Sequence, residues 1–214
     1  MGSVQIVKRY VVFLCGVICC GTGIAFVTRS GLGTSPVSGI PFILSLITPW
    51  SMGVYTFLFN MLLLLLEAAL RKTFTLQQAI QIPLTFFFSF CIDAAMAVIP
   101  TQFGGPWVNS FVYLVIGCVV MAFGINLEVL ADVSMLPAEA FVRALSNRLG
   151  MVFGNVKVGF DSTLTAIALV LALWAFHKLN GVREGTIFNA LVVGQIVKLW
   201  KKVLQNPIKR LLGE

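Results

Sequence analysis

The sequence predicts an all-α polytopic membrane protein with six transmembrane helices, arranged as two inverted three-helix repeats, each with a short re-entrant or interfacial helix. Of its 214 residues, 58% are hydrophobic and only 11% are charged, whereas charged residues make up about a quarter of an average soluble domain. A helix that crosses the hydrocarbon core takes about 20 residues. Six such helices and their loops therefore use the whole chain, which leaves no room for a soluble catalytic domain.

The repeat is clearest in two loops. Gly31-Leu-Gly-Thr-Ser-Pro-Val-Ser38 follows the first span, and a degraded copy, Asp132-Val-Ser-Met-Leu-Pro-Ala-Glu139, follows the fourth, so that the two prolines are 101 residues apart (137 − 36 = 101). The same offset, without a gap, pairs Gly16 with Gly117, Gly23 with Gly124, Ile24 with Ile125, Ser45 with Ser146, Gly53 with Gly154, Phe59 with Phe160 and Asn60 with Asp161. Duplication of one hydrophobic unit is typical of solute carriers, whose site lies between the two copies.

The predicted spans divide the chain, as a single membrane domain, into a first repeat over residues 8–100, a second over 106–204 and a basic tail over 205–214. They are Tyr10–Val27, Met52–Leu70, Leu76–Ile99, Trp107–Leu130, Val156–Phe176 and Gly185–Val203. Because each repeat has three spans, the second must enter the membrane from the opposite side. Most basic residues then fall on the side of both termini, which predicts that the termini are cytoplasmic. Arg29 and the segment with His177, Lys178 and Arg183 are exceptions.

A further short helix follows the first span of each repeat. In the first copy, Ser35 is a natural N-cap and Pro36 suits the first helical position. That segment carries no charge, which favours a re-entrant hairpin or a helix packed into the bundle. The second copy is amphipathic, which favours a position at the cytoplasmic boundary: Leu136, Ala140, Ala144 and Leu145 form one face, and Glu139, Arg143 and Asn147 form the other.

The glycine-rich loop is the leading candidate for a substrate site. A helix start inside a membrane presents N–H groups and about half a positive charge, which suits an anion or a carboxylate. Gly31 and Gly33 would let the backbone approach a ligand, while Thr34 and Ser35 could add hydroxyl donors. The alternative is that this loop only makes a tight bend before a buried helix.

Asn60 and Asp161 occupy equivalent positions in the two copies. A carboxylate inside a membrane costs about 2.5 to 3.5 kcal/mol on insertion scales and usually faces a cavity or a partner. We therefore assign Asn60 to substrate binding, and Asp161 with Lys157 to proton or sodium coupling. The alternative is structural, since Lys157 lies one helical turn before Asp161 and could simply neutralise it.

Other polar residues of the apolar segments have weaker functional signals. Asp93 lies near the outer end of its helix and would reach interfacial water. Glu128 and Asp132 could neutralise Arg143 or Arg148, or could form the cytoplasmic mouth of a path. Interhelical hydrogen bonding is the expected role of Gln81, Asn126, Asn189 and Gln195. Within the sequence there is no nucleophile–base set, nucleotide loop or metal-ligand spacing, so we expect no enzyme activity, no cofactor, no metal and no nucleic-acid partner.

The pattern resembles the YczE/YyaS/YitT-type bacterial membrane proteins over nearly the full length. The matching features are Gly31-Leu-Gly-Thr-Ser-Pro36, Gly53, Asn60, Asp161, Gly185-Thr186 and Gly194. This resemblance implies a multi-pass protein of the bacterial cytoplasmic membrane whose activity is unsettled and for which no catalytic residues can be transferred.

The favoured function is secondary transport of a small anionic or zwitterionic solute, coupled to protons or sodium. The alternative is a non-transporting scaffold that contacts a partner through small-residue faces such as Gly16, Cys20 and Gly23. Either protein would have the lipid bilayer as its surroundings and could form a homodimer.

Overall fold

A computed structural model describes residues 3–102, 105–177, 181 and 183–212. Within these residues the chain is all-α and has no strand. The eight helices are α1 (Ser3–Arg29), α2 (Pro36–Ile47), α3 (Met52–Arg71), α4 (Leu76–Val98), α5 (Trp107–Ala131), α6 (Pro137–Leu149), α7 (Phe153–Phe176) and α8 (Glu184–Leu212). Residues 213–214 of the predicted tail, and the side chain of Lys209, lie outside the part that is described.

Helix starts follow the repeat offset. The starts of α2 and α6 are 101 residues apart (137 − 36), and so are those of α3 and α7 (153 − 52). Both α2 and α6 begin with a proline. The fixed φ of proline suits the first helical turn, and its missing N–H costs nothing there. The helices therefore begin at matching points of the two copies because the same local signals recur.

Five helices are long and apolar enough to cross a membrane, namely α1 from Gln5, α3, α4, α5 and α7. They coincide with five of the six predicted spans, so the protein has the helices of a polytopic membrane protein. The sixth predicted span lies within α8, which is not among the five. Lys198, Lys201 and Lys202 interrupt its apolar stretch, since they occupy its middle turns. The α2 helix is apolar but has only 12 residues.

The helices pack as two bundles. One, the α1/α5 bundle, consists of α1, α4, α5 and α8; the other, the α2/α6 bundle, consists of α2, α3, α6 and α7. Within them, α1 packs on α4 as α5 packs on α8, and α2 packs on α7 as α3 packs on α6. The one extensive helix contact between the bundles in the described residues joins α3 to α4. Each bundle thus takes two helices from each half of the sequence.

The most extensive helix contact in the described residues is the antiparallel crossing of α1 and α5. The Arg9 guanidinium donates a 2.9 Å hydrogen bond to the carbonyl of Ala131, whereas Val27 lies against Gly117 at the other end. Between these ends, a Cβ on Gly16 would lie 2.9 Å from the carbonyl oxygen of Gly124. Distances this short leave no space for a side chain, so the crossing requires glycine.

The two glycine contacts of this crossing are equivalent to each other. A Cβ on Gly117 would lie 2.8 Å from the carbonyl oxygen of Gly23. At the 101-residue offset, Gly16 corresponds to Gly117 and Gly23 to Gly124. The two contacts therefore correspond to each other as well. Polar contacts support the same packing, because the Asn126 amide donates a 2.9 Å hydrogen bond to the carbonyl of Val197 and links α5 to α8, as predicted for this residue.

The Gly23→Ala variant should be markedly less stable than the wild type. The added methyl would lie 2.6 Å from the backbone nitrogen of Met121, and overpacking of this kind costs roughly 1–3 kcal/mol. Thermal unfolding of the purified protein in detergent measures the loss. The matched control is Gly159→Ala on α7, where nothing lies within 4 Å of the new Cβ; equal melting of the two variants would contradict the close crossing.

Candidate functional site

A cavity of about 450 Å³ lies between the two bundles. The α1/α5 bundle contributes the apolar part of its wall and two buried polar side chains, Glu128 and Asn189. The α2/α6 bundle contributes the starts of α2 and α6 together with polar residues of α3 and α7. This space, here called the central cavity, is within the range of pockets that hold small molecules.

The wall of the central cavity repeats the sequence duplication. From α1 to α3 and from α5 to α7, seven pairs of lining residues are separated by 101 positions. They are Cys20 and Met121, Ile24 and Ile125, Ser35 and Leu136, Val37 and Ala138, Ser38 and Glu139, Thr56 and Lys157, and Asn60 and Asp161. Equivalent positions of the two copies thus line one cavity.

The polar groups of the first copy are neutral. Ser38, Thr56 and Asn60 are all buried. The Asn60 amide donates a 2.9 Å hydrogen bond to the carbonyl of Thr56, one turn earlier in α3, and the hydroxyls of Ser35 and Ser38 lie 2.9 Å apart. This side of the cavity therefore offers hydroxyl and amide groups already ordered by local hydrogen bonds.

Apart from Asn189, the polar side chains that the second copy contributes are charged. The Lys157 ammonium lies 2.8 Å from Asp161 Oδ1, and both side chains are 27% exposed. The same ammonium lies 5.7 Å from the ring centre of Phe160, a favourable cation–π distance. Asp161 is thus already neutralised by a neighbour on its own helix, as the i, i+4 spacing predicts.

Two further carboxyl groups reach the central cavity, those of Glu139 on α6 and Glu128 on α5. Burial raises the pKa of the Glu139 carboxyl. The positive charge of Lys157 lowers this pKa, and the negative charge of Asp161 raises it. Glu128 is only 7% exposed. Three carboxyl groups and one ammonium therefore face the cavity among its described lining residues, which makes its second-copy side acidic.

Two helix N-termini also point into this space. Ser35 and Leu136, the N-cap residues of α2 and α6, both line the cavity, and neither side chain caps its helix. Helix starts carry partial positive charge and N–H donors. The cavity therefore pairs groups that attract an anion with carboxyl groups that attract a cation.

Four of the predicted site residues come together here: Ser35, Asn60, Lys157 and Asp161 all line the central cavity. The other three do not. Gly31 and Gly33 line a different cavity, and Thr34 is fully buried, with its hydroxyl 2.8 Å from that of Thr28.

The start of α8 explains this difference, because the glycine-rich loop packs against it. The N–H of Gly185 donates a 2.8 Å hydrogen bond to the carbonyl of Leu32, and the N–H of Thr34 donates one of 3.2 Å to Thr186 Oγ1. A Cβ on Gly33 would lie 2.9 Å from the Thr186 nitrogen. The loop's polar groups are thus largely engaged by protein, and a direct role for Gly31, Gly33 and Thr34 in binding substrate stays a prediction.

A second cavity, of about 690 Å³, lies at the end of α4 that carries Asp93 and is here called the Asp93 cavity. Asp93 was expected to reach only interfacial water, but its carboxylate holds the start of α3. Oδ1 accepts a 2.7 Å hydrogen bond from the N–H of Gly53, and Oδ2 accepts one of 2.5 Å from the Ser51 hydroxyl. This arrangement satisfies the free donors of a helix start.

A third cavity, of about 330 Å³, is here called the Arg143 cavity. It includes Gln77, which is 16 residues (93 − 77) and therefore about 24 Å along α4 from Asp93. The two end cavities again use equivalent positions of the copies: Thr28 and Val129, Gly31 and Asp132, Gly33 and Ser134, and Phe42 and Arg143. Glu128 and Glu139 line both the central and the Arg143 cavity.

Sequence reasoning missed Thr56 and Glu139 as lining residues, whereas Ser38 lies within the segment Gly31–Ser38 that was the leading candidate for a substrate site. A signal was present, since at the 101-residue offset Ser38 matches Glu139 and Thr56 matches Lys157, so that both copies are polar. Glu128 was considered only for charge neutralisation or a cytoplasmic mouth. No group of three or more His, Cys, Asp or Glu able to hold a metal ion occurs in the described residues.

Residues 7–202 match a family model described as "Family of unknown function (DUF6198)". The chain belongs to this family. No curated protein matches it significantly, and neither does any solved structure. Because DUF6198 carries no stated activity, the resemblance to the YczE/YyaS/YitT-type proteins stays a prediction, and the argument for this DUF6198 chain depends on its own residues.

An Ala190→Cys variant should react with a hydrophilic, membrane-impermeant methanethiosulfonate reagent if the central cavity holds water. Ala190 lines the cavity from α8 and is exposed to it, and a thiol reacts as the hydrated thiolate. The experiment uses a background in which Cys15, Cys19, Cys20, Cys91 and Cys118 are alanine, and mass spectrometry measures the labelled fraction.

The neighbouring Leu191→Cys variant is the control, because Leu191 is 68% exposed on the helix surface but does not line the cavity. Its thiol should face hydrocarbon and label far more slowly. Failure of Ala190→Cys to label, or labelling of Leu191→Cys alone, would show that the cavity is closed to water.

Proposed function

We propose that this protein is a secondary transporter of a small zwitterionic solute, with the central cavity as its binding site. The sequence left open an anionic or a zwitterionic substrate. The two uncapped helix starts favour a carboxylate or another anionic group on the solute, whereas Glu128, Glu139 and Asp161 disfavour an anion without a compensating cationic group. A zwitterion satisfies both halves of the wall.

The observation that carries this proposal is the convergence of equivalent positions on one cavity. Seven residue pairs separated by 101 positions face the same space, and α1 and α5 are antiparallel where their matching glycines cross. Antiparallel copies around a shared polar site are the architecture of inverted-repeat carriers. On this proposal, α8 is the sixth span and each half is a three-span repeat with α2 or α6 as its short helix.

The two end cavities support alternating access. They lie at opposite ends of α4 and use equivalent positions of the two copies. In an inverted-repeat carrier, the two halves exchange conformations and open one end while closing the other. The Asp93 cavity and the Arg143 cavity would be the two entrances, which makes this arrangement suited to moving a solute through the central cavity.

The charge distribution supports a bacterial cytoplasmic membrane with both termini in the cytoplasm. Lys8 at the start of α1, Arg71 and Lys72 at the end of α3, and the lysines of α8 then lie on the cytoplasmic side. The Arg143 cavity opens there, and the Asp93 cavity opens on the outer side.

The scaffold alternative is weakened because its proposed contact face is already covered by α5. Gly16, Cys20 and Gly23 pack on α5: a Cβ on Gly23 would lie 2.6 Å from Met121 nitrogen, and the Cys20 thiol lies 3.7 Å from the carbonyl oxygen of Met121. A protein partner would therefore need another surface. The exposed apolar side of α7 remains open to lipid or to a second copy of the chain.

Proteoliposomes containing the purified wild type should take up at least one member of a panel of radiolabelled amino acids and N-methylated amino acids when a proton or sodium gradient is imposed. The Asp161→Asn variant should slow that uptake by roughly tenfold or more, the effect of losing about 1.4 kcal/mol of interaction, because it unbalances the charges of the cavity wall. Filter-retained radioactivity measures the rate.

Glu184→Gln is the matched control, since this carboxylate is 58% exposed and, among the described residues, forms an ion pair only with its neighbour Arg183. It should transport as the wild type does. A wild type that moves none of the panel under either gradient, or an Asp161→Asn variant with unchanged uptake, would contradict the proposal.

A further inference from the structure

The junction between the central cavity and the Arg143 cavity is formed by two carboxyl groups. Glu128 on α5 and Glu139 on α6 each line both spaces. No other residue among those that line the two cavities is shared by them. Any small species that passes from one of these cavities to the other therefore passes these two side chains.

Glu128 is buried without a full set of partners. It is 7% exposed, and its Oε1 is inaccessible and has no hydrogen-bond partner in the described part of the chain. An ionised carboxylate in such a place is costly unless a cation or a proton neutralises it. An ionised Glu128 side chain would therefore require a neutralising positive charge.

The cations of the neighbouring helices have partners of their own. On α1, the Arg9 guanidinium donates a 2.9 Å hydrogen bond to the carbonyl of Ala131. Lys157 is already paired with Asp161 at 2.8 Å, and the Arg143 guanidinium contacts Met135 Sδ at 3.5 Å. The thiols of Cys19 and Cys20 face it from α1, and the carboxyl group of Glu139 faces it from α6; Asp132 lies one turn further along α5.

We propose that Glu128, with Glu139, is the proton-binding site that couples transport, and that the ion pair of Lys157 and Asp161 serves the solute instead. This inference rests on the proposed function. An O–H bond forms when a carboxylate takes a proton from water in one cavity, and it breaks when the proton passes to water in the other.

The asymmetry of the two copies supports this assignment. At the repeat offset, Glu128 corresponds to Val27 and Glu139 to Ser38. The equivalent position near the Asp93 cavity therefore has no carboxyl group. The proton site belongs to one entrance alone, where it can sense which way the central cavity opens.

The test uses proteoliposomes loaded with the pH-sensitive dye pyranine, with the same panel of amino acids and N-methylated amino acids as probes. In the wild type, solute uptake should acidify the lumen. The Glu128→Gln variant should lose both this acidification and uptake driven by a pH gradient, yet it should retain solute exchange when both sides contain solute, because exchange needs no net proton movement. Glu128→Asp should restore part of the acidification, and Glu139→Gln should shift its pH dependence.

Infrared difference spectra of the purified protein give a readout that does not depend on transport. The wild type should show the carbonyl band of protonated, buried carboxyl groups near neutral pH, and Glu128→Gln should lose the component that Glu139→Gln retains. Absence of that band, or a band of unchanged intensity in Glu128→Gln, overturns the inference.

The outcomes separate the two proposals. If the wild type moves none of the probes, transport itself fails and the coupling site fails with it. If the wild type couples uptake to protons and Glu128→Gln does so equally well, only the coupling site is overturned. Loss of exchange together with proton coupling, in a variant that is folded by size-exclusion chromatography, would make Glu128 a substrate-binding group and would also overturn the inference.

Discussion

The close antiparallel contact of α1 and α5 is the constraint on which the rest of the architecture depends. Their backbones approach so nearly at Gly16, Gly23, Gly117 and Gly124 that a methyl group at any of these positions would lie within 3 Å of the facing backbone. Because lipid tails are as apolar as leucine, such packing, and not a hydrophobic difference, holds membrane helices together. The crossing brings Cys20 beside Met121. Both residues line the central cavity, as do further pairs of equivalent residues.

The polar groups of the interior follow from the low dielectric around them. A polar atom that cannot reach water must find a partner in the protein, and the two copies solve this problem differently. The first copy places neutral groups in the wall, where Asn60 bonds to its own helix backbone. The second copy places charged groups there and neutralises Asp161 with Lys157. The cavity thus has a neutral side and a charged side at positions that the 101-residue offset relates.

Local patterns in the sequence were sufficient for the helices and for part of the site. Prolines marked the starts of α2 and α6, the i, i+4 spacing placed Lys157 beside Asp161, and the repeat offset matched Asn60 with Asp161. The sorting of eight helices into two bundles was beyond such reasoning, because it depends on contacts between distant segments. The packing of Thr34 on Thr186, 152 residues away, is a case in point.

Other features were hidden because apolar helices have weak sequence periodicity. In α5, nearly every residue is hydrophobic, so the face that carries Glu128 could not be identified from its neighbours. The status of α8 was uncertain for a different reason, since its lysines lie within the predicted span and make length and composition insufficient to decide whether it crosses.

The contact between α3 and α4 has a mechanical consequence. It is the one extensive helix pairing that joins the two bundles in the described residues, and the carboxylate of Asp93 fastens it at one end by binding Gly53 and Ser51. If each bundle moved as a unit, the α3–α4 pairing would be the edge about which it rotates. Separation of the bundles on the side away from α3 and α4 would then widen the space between them without disturbing the packing inside either one. The hydrogen bonds of Asp93 would lie at the hinge of such a movement.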